Sequence, residues 1–416
     1  MSNIIKSIAY SVVTALVSVS LLSCKGDDDP LIVSGERTII CYMPAENTLA
    51  DLVRNDISEM VEAAKYLGEK DRIVVYYDGT SNPQIYVIDK HTTALSINSL
   101  DPVFTYARDV NSCSKDVMTS VFRYIVSHYP AKSYGLIFNT HGLNWLPSIS
   151  SIASESRPRK TFGVDNGINS PYSNSGDEMR IVDLASAIKT LPHLDFIFFD
   201  LCYMQSIEIA YEMRNCADYI IGSPAEIPGN GAPYEEIMPM LVADNIDYGA
   251  IIDKYATTYD GWELIPESGV ALSVVRCDKL DSLQMVTSKL ISKYGDEIKK
   301  CRYNETTDYL SYQLSGYRTG FFDMKEMMSR MITEADIRSL GIDKEENVAD
   351  SLEWATMFSK AVPYSYVASK VYSVALNNSF VTTNPERCGG ISMSLNPNET
   401  TLKRIIEEYE SLEWRY

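Results

Sequence analysis

Two short stretches place reactive side chains directly after apolar runs. Tyr134-Gly135-Leu136-Ile137-Phe138-Asn139-Thr140 delivers His141-Gly142, and Leu194 to Phe199 delivers Asp200-Leu201-Cys202. A thiol and an imidazole in one cleft can carry out nucleophilic acyl transfer, with the imidazole taking the thiol proton and later protonating a leaving group. Gly142 would let a backbone N–H face a developing oxyanion, and the Cys202 N–H is the second donor candidate. The helical pattern starting at Gln205 would favour a thiolate at Cys202 through its N-terminal dipole. Alternation along the strand would point Asp200 and Cys202 to the same side. Each piece also has an ordinary reading: a buried cysteine is commonly an inert small hydrophobe, and His-Gly at a strand end is often only a turn.

These residues need a frame that brings positions 61 apart to one edge. Apolar runs at Thr38 to Met43, Ile73 to Tyr77, Ile85 to Ile88, Tyr134 to Asn139, Asp195 to Phe199 and Tyr219 to Ile221 read as strands, several covered on both faces. Helical patterns alternate with them: Leu49 to Leu67 after an Asn47 cap candidate, Ser114 to His128, Ile181 to Leu191, and Gln205 to Cys216. That alternation predicts an α/β fold with a mostly parallel sheet and helices on both faces, where ligands bind at the carboxyl ends of the strands. Leu146 to Asp177, rich in Ser, Asn, Pro and Gly and carrying Arg157, Arg159 and Lys160, reads as a long exposed loop. From 278 onward the pattern is mainly helical, through Lys279 to Cys301, Phe322 to Ala335 and Asp350 to Ala361, before a late strand at Gly390 to Leu395.

With 416 residues, 45% of them hydrophobic, the chain can bury a large core. A net charge of −19 argues against a nucleic-acid partner. The first 23 residues, with Lys6 and an apolar run from Ile8 to Leu22, read as an export signal, and residues 24–36 as a flexible tether. Seven further cysteines at irregular spacing, without a CxxC pair, predict neither a disulfide scaffold nor a zinc site. The four histidines are never three or four apart, and no acidic run has EF-hand spacing, so no metal site is legible.

The two strand endings, taken with their surroundings, resemble the clostripain family of caspase-like cysteine peptidases. Tyr42-Met43-Pro44-Ala45-Glu46-Asn47-Thr48-Leu49 is similar to that family's opening block, His141-Gly142 with Trp145 to its histidine block, and Phe199 to Met204 with Glu208-Ala210-Tyr211-Glu212 to its nucleophile strand and helix. Ala217-Asp218-Tyr219, Pro228-Gly229-Asn230-Gly231 with Tyr234, and Gly389-Gly390-Ile391-Ser392 extend the resemblance. It implies a three-layer α/β/α sandwich, with a peptidase core over 37–277 and a C-terminal part over 278–416. It also implies a cysteine endopeptidase with Cys202 as nucleophile and His141 as acid/base, cutting after Arg or Lys held by Asp200. A carboxylate near the nucleophile suits a guanidinium; Glu226 and Asp177 are weaker pocket candidates.

Family members are often activated by a cut between histidine and cysteine, some with calcium bound. The resemblance therefore implies self-cleavage after Arg157, Arg159 or Lys160, with calcium as an activator and no required cofactor. Leu21-Leu22-Ser23-Cys24 resembles a bacterial lipobox, implying lipidation of Cys24 and an exported, membrane-anchored, surface-exposed protein. A monomer acting on protein or peptide substrates is expected. The chain departs from the family pattern at Thr140, Leu143-Asn144, Leu201 and Ala232, which bears on pocket shape and leaves two alternatives: a peptidase of altered specificity, and a binding lipoprotein whose pocket has drifted.

Overall fold

The computed structural model describes residues 35–146, 161–261, 269–295, 309–312, 320–373, 379–395 and 403–416. Cys24, the signal and most of the tether lie outside the described residues, as do Arg157, Arg159 and Lys160. The strands, in chain order, are β1 (Gly35–Pro44), β2 (Arg72–Asp78), β3 (Gln84–Asp89), β4 (Phe104–Thr105), β5 (Ala131–Asn139), β6 (Phe162–Asp165), β7 (Asp177–Met179) and β8 (Leu194–Asp200). They continue with β9 (Ala217–Gly222), β10 (Ala271–Arg276), β11 (Phe321–Asp323), β12 (Tyr364–Val367), β13 (Lys370–Ser373), β14 (Ser379–Thr382) and β15 (Ser392–Ser394).

Nine strands form one sheet in the order β12-β10-β9-β8-β5-β1-β2-β3-β4. The inner five, β9, β8, β5, β1 and β2, run parallel, and antiparallel strands close both margins. The uninterrupted apolar runs follow from cover on both faces. In β1, Ile39, Cys41 and Met43 feed one core, while Ile40 and Tyr42 feed the other. Helices Ala50–Ala63, Tyr234–Leu241 and Tyr248–Tyr259 pack on the first side; Lys115–His128, Ile181–Ile188, Ile207–Met213 and Leu280–Tyr294 pack on the second. This is the expected three-layer α/β/α sandwich.

The chain reverses its direction of travel across the sheet between β1 and β5, because β2 follows β1 on one side and β5 is laid down on the other. Such a switch point opens a crevice at the carboxyl ends of the strands. The C-terminal part is built into this frame: β12 pairs with β10 at the sheet margin, and Ser392 of β15 donates its N–H to Gln205 O at 3.0 Å. Trp145 packs against Phe321 and Tyr409, so residues far apart in the chain share one core.

Several expectations need correction. The stretch read as an exposed loop from Leu146 to Asp177 contains a buried strand: all four residues of β6 are buried, and Phe162 packs edge-on against Phe138 at 5.0 Å. Its Phe-Gly-Val sequence places one aromatic in the core, a signal too short to stand out among polar neighbours. Asn47 does not cap the first helix, whose N-cap is Leu49; its amide instead donates to Pro44 O and Val164 O, each at 2.9 Å. The helix expected from Gln205 starts only at Ile207, after an Ser206 cap, and the one expected from Asp350 already begins at Lys344.

Candidate active site

β5 and β8 are parallel neighbours with Asn139 opposite Asp200, so the segments after them emerge side by side. His141 and Cys202 both line a cavity of about 320 Å³, with Asp200, Glu226, Gly231 and Tyr372 also in its wall. The two loops are tied together. A Cβ at Gly142 would lie 2.5 Å from the Cys202 carbonyl oxygen, so only glycine permits this approach. Ser206 donates to Asn144 Oδ1 at 3.0 Å, and both Asn144 and Tyr203 adopt the left-handed conformation that turns these loops sharply.

Alternation along β8 ends at Asp200, since Cys202 belongs to the turn beyond the strand. Both reach the cavity because of that turn, which corrects the strand-based argument. The Cys202 thiol donates to Ile227 O (3.9 Å), and Ile227 N–H points at the sulfur (3.5 Å). Burial pushes the thiol up to about 12, with the Glu226 and Asp200 carboxylates adding to the shift and the Ile227 N–H opposing it. The expectation of a dipole-stabilised thiolate is therefore overturned: three residues lie between Cys202 and the helix N-cap at Ser206, which puts the thiol beyond the reach of its first turn.

His141 is held from a direction the sequence did not indicate. Its Nε2 lies 2.9 Å from Thr48 Oγ1, and that hydroxyl donates to Asn174 Oδ1 at 3.0 Å. A hydroxyl has one proton, so with that proton spent on Asn174 the Thr48 oxygen accepts from Nε2–H, which leaves Nδ1 as the basic nitrogen. Burial lowers His141 to about 4, against an opposing hydrogen bond toward Asn174. Thr48 follows β1, while Asn174 sits between β6 and β7; no spacing rule links either to His141.

The Gly142 and Phe162 bridge leaves its hydrogen bonds to the flanking residues, Leu143 N–H to Thr161 O (3.2 Å) and Gly163 N–H to His141 O (3.0 Å). The Gly142 N–H is thereby turned away from β6.

Asp200 is 3% exposed and fully engaged. Its Oδ1 accepts from Tyr255 OH (2.7 Å); its Oδ2 accepts from Tyr234 OH (2.8 Å), Ala232 N–H (2.9 Å) and, at 3.4 Å, Asn139 Nδ2. Burial raises its pKa, and the N–H and hydroxyl donors hold it down in part. Glu226 lines the same cavity and is only partly buried, whereas Asp177 is exposed, accepts from Asn111 Nδ2 (2.6 Å) and does not line the cavity. No lysine or arginine lies in the described wall.

A second acid cluster lies at the same edge. Glu46, Asp78 and Asp165 are buried, with one ligand atom from each within 4.8 Å of the others. Pattern reading missed it because Glu46 follows β1, Asp78 ends β2 and Asp165 ends β6; the triad exists only once the strands pair. No disulfide joins the described cysteines, and no described helix is long and apolar enough to cross a membrane.

The model of the clostripain family matches residues 41–416. Among solved structures, the chain is similar to a secreted C11 cysteine protease from Bacteroides thetaiotaomicron, in complex with an irreversible peptide inhibitor, at 28% identity and a TM-score of 0.71, covering 91% of this chain and 99% of that one. An inactive zymogen C11 protease from Parabacteroides distasonis gives 28% identity and 0.71, over 92% and 97%. Clostripain from Hathewaya histolytica is 24% identical over 229 residues, which is 50% of this chain but only 42% of that protein.

Proposed function

The chain belongs to the clostripain family, and on that premise we propose that it is a cysteine endopeptidase in which Cys202 is the nucleophile and His141 the acid/base. The observation that carries the reading is the meeting of both side chains in one cavity at the ends of adjacent parallel strands. With the thiol pushed up to about 12 and the imidazole down to about 4, the resting pair is neutral. Proton transfer then accompanies attack: sulfur bonds to the scissile carbonyl carbon as the thiol proton passes to His141 Nδ1, while Nε2 keeps its proton on Thr48. The carbonyl oxygen gains the negative charge, with the N–H groups of Gly142 and Cys202 as its donors. Collapse expels the amine, protonated by His141, and leaves a thioester that water hydrolyses by the same proton route.

Preference for Arg or Lys before the scissile bond is supported by a cavity carrying Asp200 and Glu226 and no described cation. A second reading, altered specificity, is favoured by one observation: Asp200 already accepts from four donors. Fluorogenic peptides with Arg, Lys, Asp, Asn or Ala before the reporter, tested on wild type and Cys202→Ala, separate the two. Cleavage after Arg and Lys that disappears in the variant is expected; equal cleavage of the Asn or Ala peptide would establish altered specificity. Failure to cleave any, with no alkylation of Cys202, would leave a binding protein on this fold.

Self-processing after Arg157, Arg159 or Lys160 fits the same chemistry, and a relative described as a zymogen supports it. A Cys202→Ala protein still nicked there when purified alone would exclude it. Export with a lipid on Cys24 completes the reading, supported by a relative described as secreted. Incorporation of labelled palmitate should be lost in Cys24→Ala.

A further inference from the structure

Three distant stretches of the chain meet in the core beside the two catalytic loops: the turn after His141, the start of the nucleophile helix, and β15. Asn144 ends the His141 turn in the left-handed conformation, at φ 64°. Its Oδ1 accepts from the Trp145 N–H (2.8 Å) and from the Ser206 hydroxyl (3.0 Å), 62 positions away. Ser206 also caps the helix Ile207–Met213, accepting from the Ile209 N–H at 3.4 Å. Two residues on, Glu208 Oε1 reaches β15, where it accepts from both the N–H and the hydroxyl of Ser394, each at 2.7 Å and 186 positions away. Asn144, Ser206, Glu208 and Ser394 are all fully buried, and none lines the cavity.

A carboxyl group at this depth is costly without a counter-charge. Among the described residues, no lysine or arginine forms an ion pair with Glu208, and its Oε2 has no hydrogen-bond partner. Burial raises its pKa, with the Ser394 donors opposing the shift. What the acid supplies in return is a strong link to β15. That strand is itself held firmly, pairing with β11 and accepting from Tyr416 OH at Ser394 O (2.8 Å). It is joined to the same segment a second time at Ser392, whose N–H donates to Gln205 O. The two attachments, at Gln205 and Glu208, flank Ser206, the residue that holds Asn144.

We propose, on the reading of Cys202 and His141 as the reacting pair, that Glu208 is a positioning residue: by binding Ser394 it fixes the start of the nucleophile helix, and Ser206 passes that constraint to the turn that carries His141. Glu208 touches neither substrate nor reacting atoms. It acts on the placement of thiol and imidazole relative to each other, and rate falls steeply when such groups are displaced by about 1 Å.

The test is a double-mutant cycle between the two ends of this link, Asn144→Gly and Ser394→Ala, in the full-length protein. Glycine keeps the left-handed backbone while removing Oδ1, and alanine removes the hydroxyl while keeping the N–H. Each should lower kcat on an Arg peptide about 3–10-fold with KM changed less than about twofold. The double variant should be no slower than the slower single, because both cut one path. Glu208→Leu should reproduce the double variant, whereas Glu208→Gln, whose carbonyl oxygen still accepts from both Ser394 donors, should stay within about twofold of wild type. If Glu208→Leu fails to fold, the cycle carries the test alone. The same proteins are alkylated at Cys202 with iodoacetamide at pH 8, which needs no peptide cleavage. Both singles and the double should speed it by one common factor of about 2–5, as a loosened turn lets water reach the thiol. Failure of wild type to cleave any peptide would overturn the peptidase reading, and the alkylation cycle would still decide whether Glu208 sets the geometry of the pair. Single effects that multiply in the double variant would overturn the proposal. So would a Glu208→Gln protein as slow as Glu208→Leu, or variants that melt lower yet turn over at the wild-type rate.

Discussion

Two buried acid groups open off the same edge of the sheet, and the fold treats them in opposite ways. Asp200 is surrounded by donors: two tyrosine hydroxyls, a backbone N–H and an asparagine amide. Glu46 and Asp78 are as deeply buried, yet three of their four carboxylate oxygens have no donor. The difference teaches that burial alone does not define a carboxylate's role. A full donor set stabilises a fixed negative charge, whereas missing donors leave burial to push Glu46 up to about 9 and Asp78 up to about 8.

The largest effect is expected at Asp200. Asp200→Asn should lower kcat/KM for Arg and Lys peptides by roughly 10²-fold or more, since it removes a buried charge from the ligand's partner. An Ala peptide should be unaffected; an equal loss on both would show that Asp200 serves folding alone. The neutral resting thiol gives the next largest effect. Iodoacetamide should modify Cys202 about 50-fold more slowly than an ordinary exposed cysteine at pH 8, because a scarcer thiolate outweighs its greater nucleophilicity. The rate should climb through pH 9–11 without a plateau, as expected when the thiol is pushed up to about 12; a plateau near pH 8 would contradict the neutral pair.

Tyr255→Phe sharpens the contrast through stability. It strips Asp200 Oδ1 of its donor and should cost about 1–3 kcal/mol in urea denaturation. Thr48→Val, which sits between the two acid regions, should reduce kcat roughly tenfold with little change in KM, because the imidazole loses its anchor while the substrate wall is kept. A KM effect instead would place Thr48 in substrate binding. The smallest effect is expected from Glu226→Gln, which should speed alkylation of Cys202 a few-fold, about 2–5, by removing a carboxylate that opposes the thiolate.

Much of this was legible in the residues. The parallel strands announced themselves as apolar runs, and reactive residues directly after two of them marked the sheet edge where the cavity lies. What stayed hidden depends on pairing. Thr48 and Asn174 meet His141 only because β1, β5 and the β6–β7 hairpin converge there. β6 itself vanished into a polar stretch, since four residues with one aromatic give no usable period. Tyr234 begins one helix and Tyr255 lies inside the next, so nothing in their spacing connects them to Asp200. Cys202 escapes the helix dipole for a simpler reason: the helix starts at Ile207, two residues later than its pattern suggests.

The bond from Ser392 to Gln205 spans 187 positions, and its consequence is one of timing. The loop carrying Cys202 is braced by a strand the ribosome makes much later, at about 5–20 residues per second, so roughly 10–40 s pass between synthesis of the loop and synthesis of its brace. A chain still being made thus carries its thiol and imidazole without the support that sets them, and the order of the sequence acts as a delay on the chemistry.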